Sequence, residues 1–289
     1  VDVATILPPL PLIAAALAGV RPLLVNLAGL GVVVAVALFL IKGLGEPPMQ
    51  WIVYGIGVYA VFSWASTLKR RDPPTYALIV GNPAFVCVVL AYGLNAFLSY
   101  AVTYFAPPYA IRTFGVSAAE AGFIIGGMGA ASGFLGVTIG GGIADRLRRT
   151  NPAGRLVVVI FGAVVPAAFI VTAYSTPSVT LFYLALFPAQ MFASCALGAA
   201  AATTQDLVLP RMRGTATATF FLGTTLIGLA LGPYLAGRVS TLTGSLSTGV
   251  ISLLLTVPIT LAAAILAYRL VPAAEASREA RARAAGEPI

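Results

Sequence analysis

Few residues in this 289-residue sequence could carry out catalysis. It contains no histidine, so the commonest general base and the commonest transition-metal ligand are missing. Its two cysteines, Cys87 and Cys195, lie far apart inside apolar runs. We find no nucleophile–base pair and no cluster of metal ligands. The sequence therefore predicts no catalytic residue, no metal site, no cofactor and no enzyme activity.

Polar side chains inside long apolar segments indicate a different chemistry, the binding of a small organic molecule. The candidates are Tyr92, Asn95, Ser99, Tyr100, Gln190 and Thr224. Asn95, Ser99 and Thr103 follow one another at spacings of four, so they share one face of a helix with Tyr92. Such a set, between apolar walls, fits an amphipathic or aromatic solute. Asn95 and Gln190 could equally form hydrogen bonds between helices, and the sequence leaves both roles open.

The composition indicates that these segments lie in lipid. Hydrophobic residues make up 59% of the chain and charged residues 9%, whereas soluble domains carry about 25% charged residues. The net charge of +8 comes from residues in short gaps between apolar runs. Because these residues do not form one basic surface, the charge does not predict nucleic-acid binding.

Apolar segments long enough to cross a bilayer recur along the chain, since about 20 helical residues span its core. The predicted spans are residues 22–43, 49–67, 82–106, 119–143, 155–174, 178–205, 214–237 and 246–271. A ninth candidate, residues 5–20, has three prolines near its start. The predicted fold is therefore all-α, a polytopic transmembrane helical bundle with eight or nine spanning helices.

The basic residues predict the orientation of these spans. Of the 17 lysines and arginines, all but Lys42, Arg112 and Arg238 fall in every second gap. Because lysine and arginine accumulate in cytoplasmic loops, residues 67–81, residues 144–154 and the C-terminus are predicted to be cytoplasmic. The loops at 107–118, 175–177 and 238–245 are then predicted to face outward. We expect a multi-pass protein of the cell inner membrane.

One predicted cytoplasmic stretch, IGGGIADRLRRTNPAGR at residues 139–155, holds an acidic residue that topology does not explain. Asp145 follows Gly141 by four residues, and a carboxylate at this depth is costly unless it is paired. Its possible partners are the neighbouring arginines or the positive N-terminus of the helix that follows PRMRG at 210–214. The residues predicted to form this charged site together are Gly141, Asp145, Arg146, Arg149, Arg211 and Arg213.

The surrounding glycines have two possible roles. Gly136 and Gly140, like Gly228 and Gly232, lie four residues apart, a spacing that lets helices approach closely in lipid. The spacing is compatible with tight static packing and with a surface on which helices slide during a conformational change.

Two motifs carry a family resemblance. GGGIADRLRR at 140–149 resembles the G-x-x-x-D-R-x-x-R-R cytoplasmic signature of the major facilitator superfamily of transporters, which follows the second helix of each six-helix half. GLALGPYLAG at 228–237 is similar to the Gly-Pro motif of the fifth helix. More narrowly, the stretches at 104–122 and 208–233 resemble bacterial spinster-like members.

The resemblance implies a division of the chain. Residues 82–271 are interpreted as the C-terminal six-helix half, and residues 1–67 as the last helices of the N-terminal half. Residues 68–81 are then the cytoplasmic loop between the halves, and residues 272–289 a solvated cytoplasmic tail. On this interpretation the fold is incomplete, and we expect the chain to be a fragment.

The resemblance also implies a function. It implies secondary active transport of a small organic or amphipathic, lipid-like solute by alternating access, proton-coupled in an intact protein that is a monomer in the bilayer. Asp145 and its arginines are predicted to be a conformational latch between the spans 119–143 and 214–237. Glu120, Asp145 and Asp206 lie at helix ends, so we expect the proton relay outside residues 82–271. The alternatives are a multidrug efflux member of the same superfamily and a non-transporting membrane sensor or assembly protein.

Overall fold

The computed structural model describes residues 10–288, and all regular structure in that range is helical. In chain order the helices are α1 (Leu10–Leu17), α2 (Val20–Gly43), α3 (Pro48–Arg71), α4 (Pro73–Leu78), α5 (Pro83–Phe114), α6 (Ala118–Thr150), α7 (Gly154–Ser175), α8 (Val179–Asp206), α9 (Pro210–Thr243), α10 (Leu246–Ala276) and α11 (Arg278–Ala284). All except α1, α4 and α11 are long and apolar enough to cross a membrane.

The predicted all-α fold and its eight spans are confirmed. The ninth candidate, residues 5–20, falls partly outside the described residues, since 5–9 are not described. Its remainder contains the eight-residue helix α1, which is too short to span a bilayer.

Several helices are longer than predicted, and α5 and α6 show why. α5 continues past 106 through Pro107 and Pro108 to Phe114, and the next residue, Gly115, has the left-handed φ of 71° that ends the helix. The prolines are tolerated because the turn beyond them is packed, with Tyr109 and Ala110 buried. α6 runs through the charged residues to Thr150, so the predicted loop at 144–154 shrinks to residues 151–153. At about 50 Å, α6 exceeds the bilayer core, and its polar end lies beyond the lipid.

The chain divides into two compact units, one comprising residues up to Gly81 and from Glu279 onward, the other Asn82–Arg278. In the first unit, α2 packs against α3, and α4 follows α3 after a single residue. Arg281 of α11 donates to the carbonyl oxygens of Ala77 (2.8 Å) and Gly81 (3.1 Å). The predicted solvated tail is therefore helical, and the hydrogen bonds of Arg281 hold it against the segment after α3.

The second unit is built around α8, which packs against α5, α6 and α7. Its apolar core contains an aromatic cluster in which Tyr109, Tyr174 and Phe182 lie with ring centroids 4.8 to 5.9 Å apart. The Tyr174 hydroxyl donates to Val102 O (2.8 Å), and the Tyr109 hydroxyl donates to Tyr174 O (3.0 Å). These bonds satisfy buried polar atoms and fix α5 against α7.

The glycines of α6 differ in how closely they contact α8. A Cβ at Gly140 would lie 2.6 Å from the Cα of Cys195, and one at Gly136 would collide with the carbonyl of Met191. At Gly141 a Cβ would meet nothing within 4 Å. Close approach of α6 to α8 therefore depends on Gly136 and Gly140, whereas Gly141 makes no close contact in this structure.

Gly228 and Gly232 in α9 also make close contacts. A Cβ at Gly228 would lie 2.8 Å from that of Ala96, and one at Gly232 would collide with the carbonyl of Phe97. Gly228 belongs to a π-helical turn, Thr225–Leu229, that interrupts α9 where it meets α5. Both glycines are tightly packed in this structure.

Candidate functional site

A cavity of about 200 Å³ lies among α5, α6, α7 and α8. Its polar lining consists of Asn95, Ser99, Thr103, Ser132, Gln190 and Ser194. Apolar walls come from all but α6, for example Val102, Ile170 and Ala189. We call this space the polar cavity. Three of the six predicted solute-binding residues line it: Asn95, Ser99 and Gln190.

Two buried carboxamides define the polar side of this cavity. Asn95 Nδ2 donates to Ala193 O at 3.1 Å and so connects α5 to α8. Gln190 Oε1 accepts from Ser132 Oγ at 3.3 Å and connects α8 to α6. Both residues thus form the hydrogen bonds between helices that the sequence allows, and both also line the cavity.

Gln190 keeps one amide atom uncommitted. Among the described residues its buried Nε2 has no hydrogen-bond partner. A carboxamide nitrogen carries two donors, and leaving them unpaired away from water costs about 1–3 kcal/mol. If the amide were turned over, Oε1 would be the uncommitted atom instead. Either orientation leaves a polar atom without a partner in the wall of the cavity.

Local sequence explains the shape of the site. Pro188 lies inside α8 two residues before Gln190, and Pro166 lies inside α7 and lines the cavity. Proline removes a backbone donor and loosens the helix at that point. On α6, a Cβ at Gly129 would lie 3.5 Å from Gln190 Oε1, an ordinary contact distance, so the amide group does not require glycine there.

Three predicted solute-binding residues do not line the polar cavity. Tyr92 stacks on Phe220 of α9, with ring centroids 5.3 Å apart. Tyr100 is 43% exposed on the outside of α5, because five residues of helix turn it away from Asn95. Thr224 is buried, and its hydroxyl donates to Phe221 O in its own helix at 3.3 Å.

Ser132 is a polar lining residue that is not among the predicted ones. It is buried, and its hydroxyl lies 3.2 Å from Gly129 O. In the sequence Ser132 is a hydroxyl residue among glycines and alanines. Because this pattern is also common where helices pack together, it does not identify a lining residue.

At the end of the unit that is predicted to be cytoplasmic, five charged side chains form a chain of ion pairs. Asp145 Oδ1 accepts from Arg155 Nε (3.1 Å) and Nη2 (2.9 Å). Arg155 also pairs with Asp206, which accepts from Arg148 Nε at 3.3 Å. Arg148 pairs in turn with Glu275. We call these residues the ion chain; it joins α6, α7, α8 and α10.

Asp206 is the centre of the ion chain and Asp145 its exposed end. The Asp206 side chain is 27% exposed and contacts two arginines, and its backbone oxygen accepts from Arg278 Nη1 at 3.0 Å. The Asp145 side chain is 62% exposed and has one ion-pair partner within residues 10–288. Asp206 is also the last residue of α8, where the helix dipole disfavours a negative charge. The arginines therefore offset both the partial burial of the Asp206 carboxylate and its unfavourable interaction with the helix dipole.

The partner of Asp145 in this structure differs from the predicted ones. It is Arg155, because the three-residue turn after α6 brings the first turn of α7 next to it. Arg146, Arg149 and Arg213 are exposed and form no ion pair within residues 10–288. Arg211 lies in the 3₁₀ turn at the start of α9. A latch role concerns a second conformation, so it stays a prediction.

Comparison with known proteins adds a family match and several relatives. The family model for the Major Facilitator Superfamily matches residues 3–233 and 88–289. An MFS-type efflux pump of Mycolicibacterium smegmatis is 30% identical over 179 residues, which cover 61% of this chain and 38% of the pump. Protein spinster homolog 1 of Mus musculus is 28% identical over 228 residues, 73% of this chain and 41% of that protein. The chain thus spans about two fifths of the length of these relatives.

The fold is similar to that of a solved structure. The crystal structure of a bacterial homologue of the human lysosomal transporter spinster, in an inward-facing and unoccupied conformation, superimposes with a TM-score of 0.52. The alignment covers 95% of this chain and 67% of that one at 19% sequence identity. At this identity the similarity shows a shared fold.

Proposed function

Since this chain belongs to the Major Facilitator Superfamily, we propose that it takes part in secondary active transport of a small organic or amphipathic solute by alternating access. Eight helices of spanning length and the spinster-like relatives support this proposal. We also propose that it is a multi-pass protein of the inner membrane whose C-terminus lies in the cytoplasm.

The observation that carries the proposal is the uncommitted amide of Gln190 in the polar cavity. A solute with a hydrogen-bond acceptor, such as a carbonyl, carboxylate or phosphoryl oxygen, would supply the missing partner. The rest of the solute would contact the apolar walls. Drug-sized ligands occupy pockets of about 300–1,000 Å³, so a cavity of about 200 Å³ suits the polar end of an amphipathic molecule.

Transport by the purified chain in proteoliposomes tests the proposal. A fluorescently labelled lysophosphatidylcholine, which carries phosphoryl and carbonyl oxygens on a hydrocarbon chain, is the probe, driven by an imposed pH gradient. Gln190→Leu removes the hydrogen bond while keeping the volume. The loss of about 1–1.5 kcal/mol should raise KM about five- to tenfold.

Tyr100→Leu is the control, because Tyr100 is a predicted solute-binding residue whose side chain does not line the polar cavity. It should leave KM unchanged. A raised KM for Tyr100→Leu together with an unchanged KM for Gln190→Leu would move the solute site away from the polar cavity.

Export is the second candidate, and it differs in the direction of transport. The similarity to an efflux pump favours it. Proteoliposomes sorted by orientation separate the two: export from the predicted cytoplasmic side requires transport only when that side faces the probe.

The ion chain supports a proposal about the conformational latch. Asp206 holds the ends of α6, α7 and α8 together through two arginines. Asp145 is the exposed member with one partner, so it can exchange Arg155 for other arginines at the smallest cost. In that second state the predicted set around Gly141, Arg211 and Arg213 would form. Asp145→Ala should shift the balance of inward- and outward-open states, read by spin-label distances across the two ends of the bundle, and an unchanged balance would refute the latch.

A further inference from the structure

The first compact unit contains a second cavity, which the proposed transport function does not use. It has a volume of about 570 Å³ and lies where the start of α2 meets the end of α3, with Tyr76 and Val80 from α4 and the turn after it. Arg21, Lys69 and Arg70 contribute positive charges to its wall. We call it the basic cavity.

No carboxylate among the described residues pairs with these three cations. Within residues 10–288 none of them forms an ion pair, and Lys69 lies over the ring of Tyr76, 5.6 Å from its centroid. The acidic residue nearest in sequence, Asp72, caps α4 by accepting from Thr75 N (3.2 Å) and Thr75 Oγ1 (2.6 Å). The wall therefore carries an excess of positive charge that attracts an anion.

A buried amide adds a second and independent indication of a ligand. Asn26 lines the same cavity and is only 1% exposed. Its Nδ2 donates to Pro22 O at 3.1 Å, but its Oδ1 has no donor among the described residues. A buried acceptor without a donor is costly, so the site suits a ligand that brings a hydroxyl or ammonium hydrogen as well as a negative charge.

Much of the remaining wall is apolar, although Ser66 and Tyr76 also line it. Val25, Phe62 and Ala65 line the basic cavity, and Val25 and Phe62 are exposed on the surface of the two helices. Leu24 beside them is exposed as well. An anion with an attached hydrocarbon chain would cover this surface, whereas a small soluble anion would leave it bare.

We propose that the basic cavity binds the headgroup of an anionic phospholipid, with its phosphate diester between Arg21, Lys69 and Arg70 and a headgroup hydroxyl donating to Asn26 Oδ1. Basic pockets at the cytoplasmic ends of transmembrane helices attract such lipids, and these residues lie at the end that the charge distribution predicts to be cytoplasmic. A soluble phosphate ester shares the phosphate chemistry, and the experiment separates the two sources.

The test is binding of dioctanoyl phosphatidylglycerol to the purified full chain in a neutral maltoside detergent, measured by native mass spectrometry. Dioctanoyl phosphatidylcholine and glycerol 3-phosphate are the comparison ligands. Each basic residue near the phosphate should contribute about fivefold to affinity. We expect about fivefold weaker binding for Arg21→Gln or Lys69→Gln, and about 25-fold for the double variant. Because both side chains are exposed, these variants should fold.

Lys42→Gln is the matched control, since it removes the same charge at the opposite end of α2 from an exposed side chain. It should bind phosphatidylglycerol as the unmodified chain does. The proposal is overturned if Lys42→Gln weakens binding as much as Lys69→Gln, or if the double variant binds normally. Equal affinity for glycerol 3-phosphate or for phosphatidylcholine would also overturn it.

Asn26 has its own test. Phosphatidylmethanol carries the same single phosphate charge without the glycerol hydroxyls. The unmodified chain should prefer phosphatidylglycerol about fivefold, and Asn26→Ala should abolish that preference while leaving phosphatidylmethanol binding intact. A preference that survives in Asn26→Ala would show that the hydroxyl does not reach Oδ1. These lipid-binding outcomes are independent of transport through the polar cavity.

Discussion

Replacing Asp206 with asparagine should destabilise the protein several times more than the same change at Asp145. Asp206 contacts Arg148 and Arg155, and its side chain is 27% exposed. Each charge-assisted hydrogen bond contributes about 1.5–3 kcal/mol when buried. At this partial exposure the figure must be reduced for solvent screening. Arg155 keeps Asp145 and Arg148 keeps Glu275 as partners, so neither arginine is left alone, and we expect a loss of about 2 kcal/mol.

The corresponding change at Asp145 should be mild. Its carboxylate is 62% exposed and contacts one arginine that retains a second partner. Exposed ion pairs contribute about 0.2–1 kcal/mol, so Asp145→Asn should cost about 0.5 kcal/mol.

Reversible unfolding of the purified chain by sodium dodecyl sulfate in mixed micelles measures both free energies. Repeating the titration at higher ionic strength should shrink the Asp145 effect more than the Asp206 effect, because exposed pairs are screened more strongly. Equal losses for the two variants would refute the assignment of Asp206 as the centre of the ion chain. A negligible loss for Asp206→Asn would refute it as well.

Three further predictions concern packing, hydrogen bonding and coupling. Gly140→Ala should lower the free energy of unfolding by about 1–3 kcal/mol because its Cβ would press on the backbone of Cys195, whereas Gly141→Ala, whose Cβ meets open space, should not destabilise the same helix; equal effects in the same unfolding titration would contradict this. Tyr174→Phe removes the bond to Val102 O and should cost about 1 kcal/mol in that assay, and no loss would mean that the bond contributes nothing. Asp206→Asn should leave proton coupling intact in a pH-gradient transport assay, because its carboxylate is held by two arginines at a helix end; uncoupling without misfolding would place the relay there.

The number of membrane-spanning helices could be predicted from the sequence, because the length of an apolar segment can be compared with the thickness of the bilayer core. Their ends could not. α6 continues through charged residues to Thr150, and α5 continues through Pro107 and Pro108. Outside the lipid a helix no longer needs apolar side chains, so hydropathy does not show where α6 ends. In α5, tertiary packing outweighs the effect of the two prolines.

The polar cavity was predictable in part. Helical spacing placed Asn95 and Ser99 on one face, and both line the cavity with Gln190. Spacing does not say which face meets which helix, so it could not separate these residues from Thr224, which bonds to its own helix. Likewise, the pairing of Asp145 with Arg155 depends on a three-residue turn whose length hydropathy did not reveal.

A cryo-electron microscopy structure of the full chain with its transported solute bound would show directly where the solute binds. We expect solute density in the polar cavity, with an acceptor atom within hydrogen-bond distance of the Gln190 amide and the remainder against the apolar walls of α5, α7 and α8. Density that lies away from Gln190 and Asn95, for example beside Tyr92 or Thr224, would contradict it.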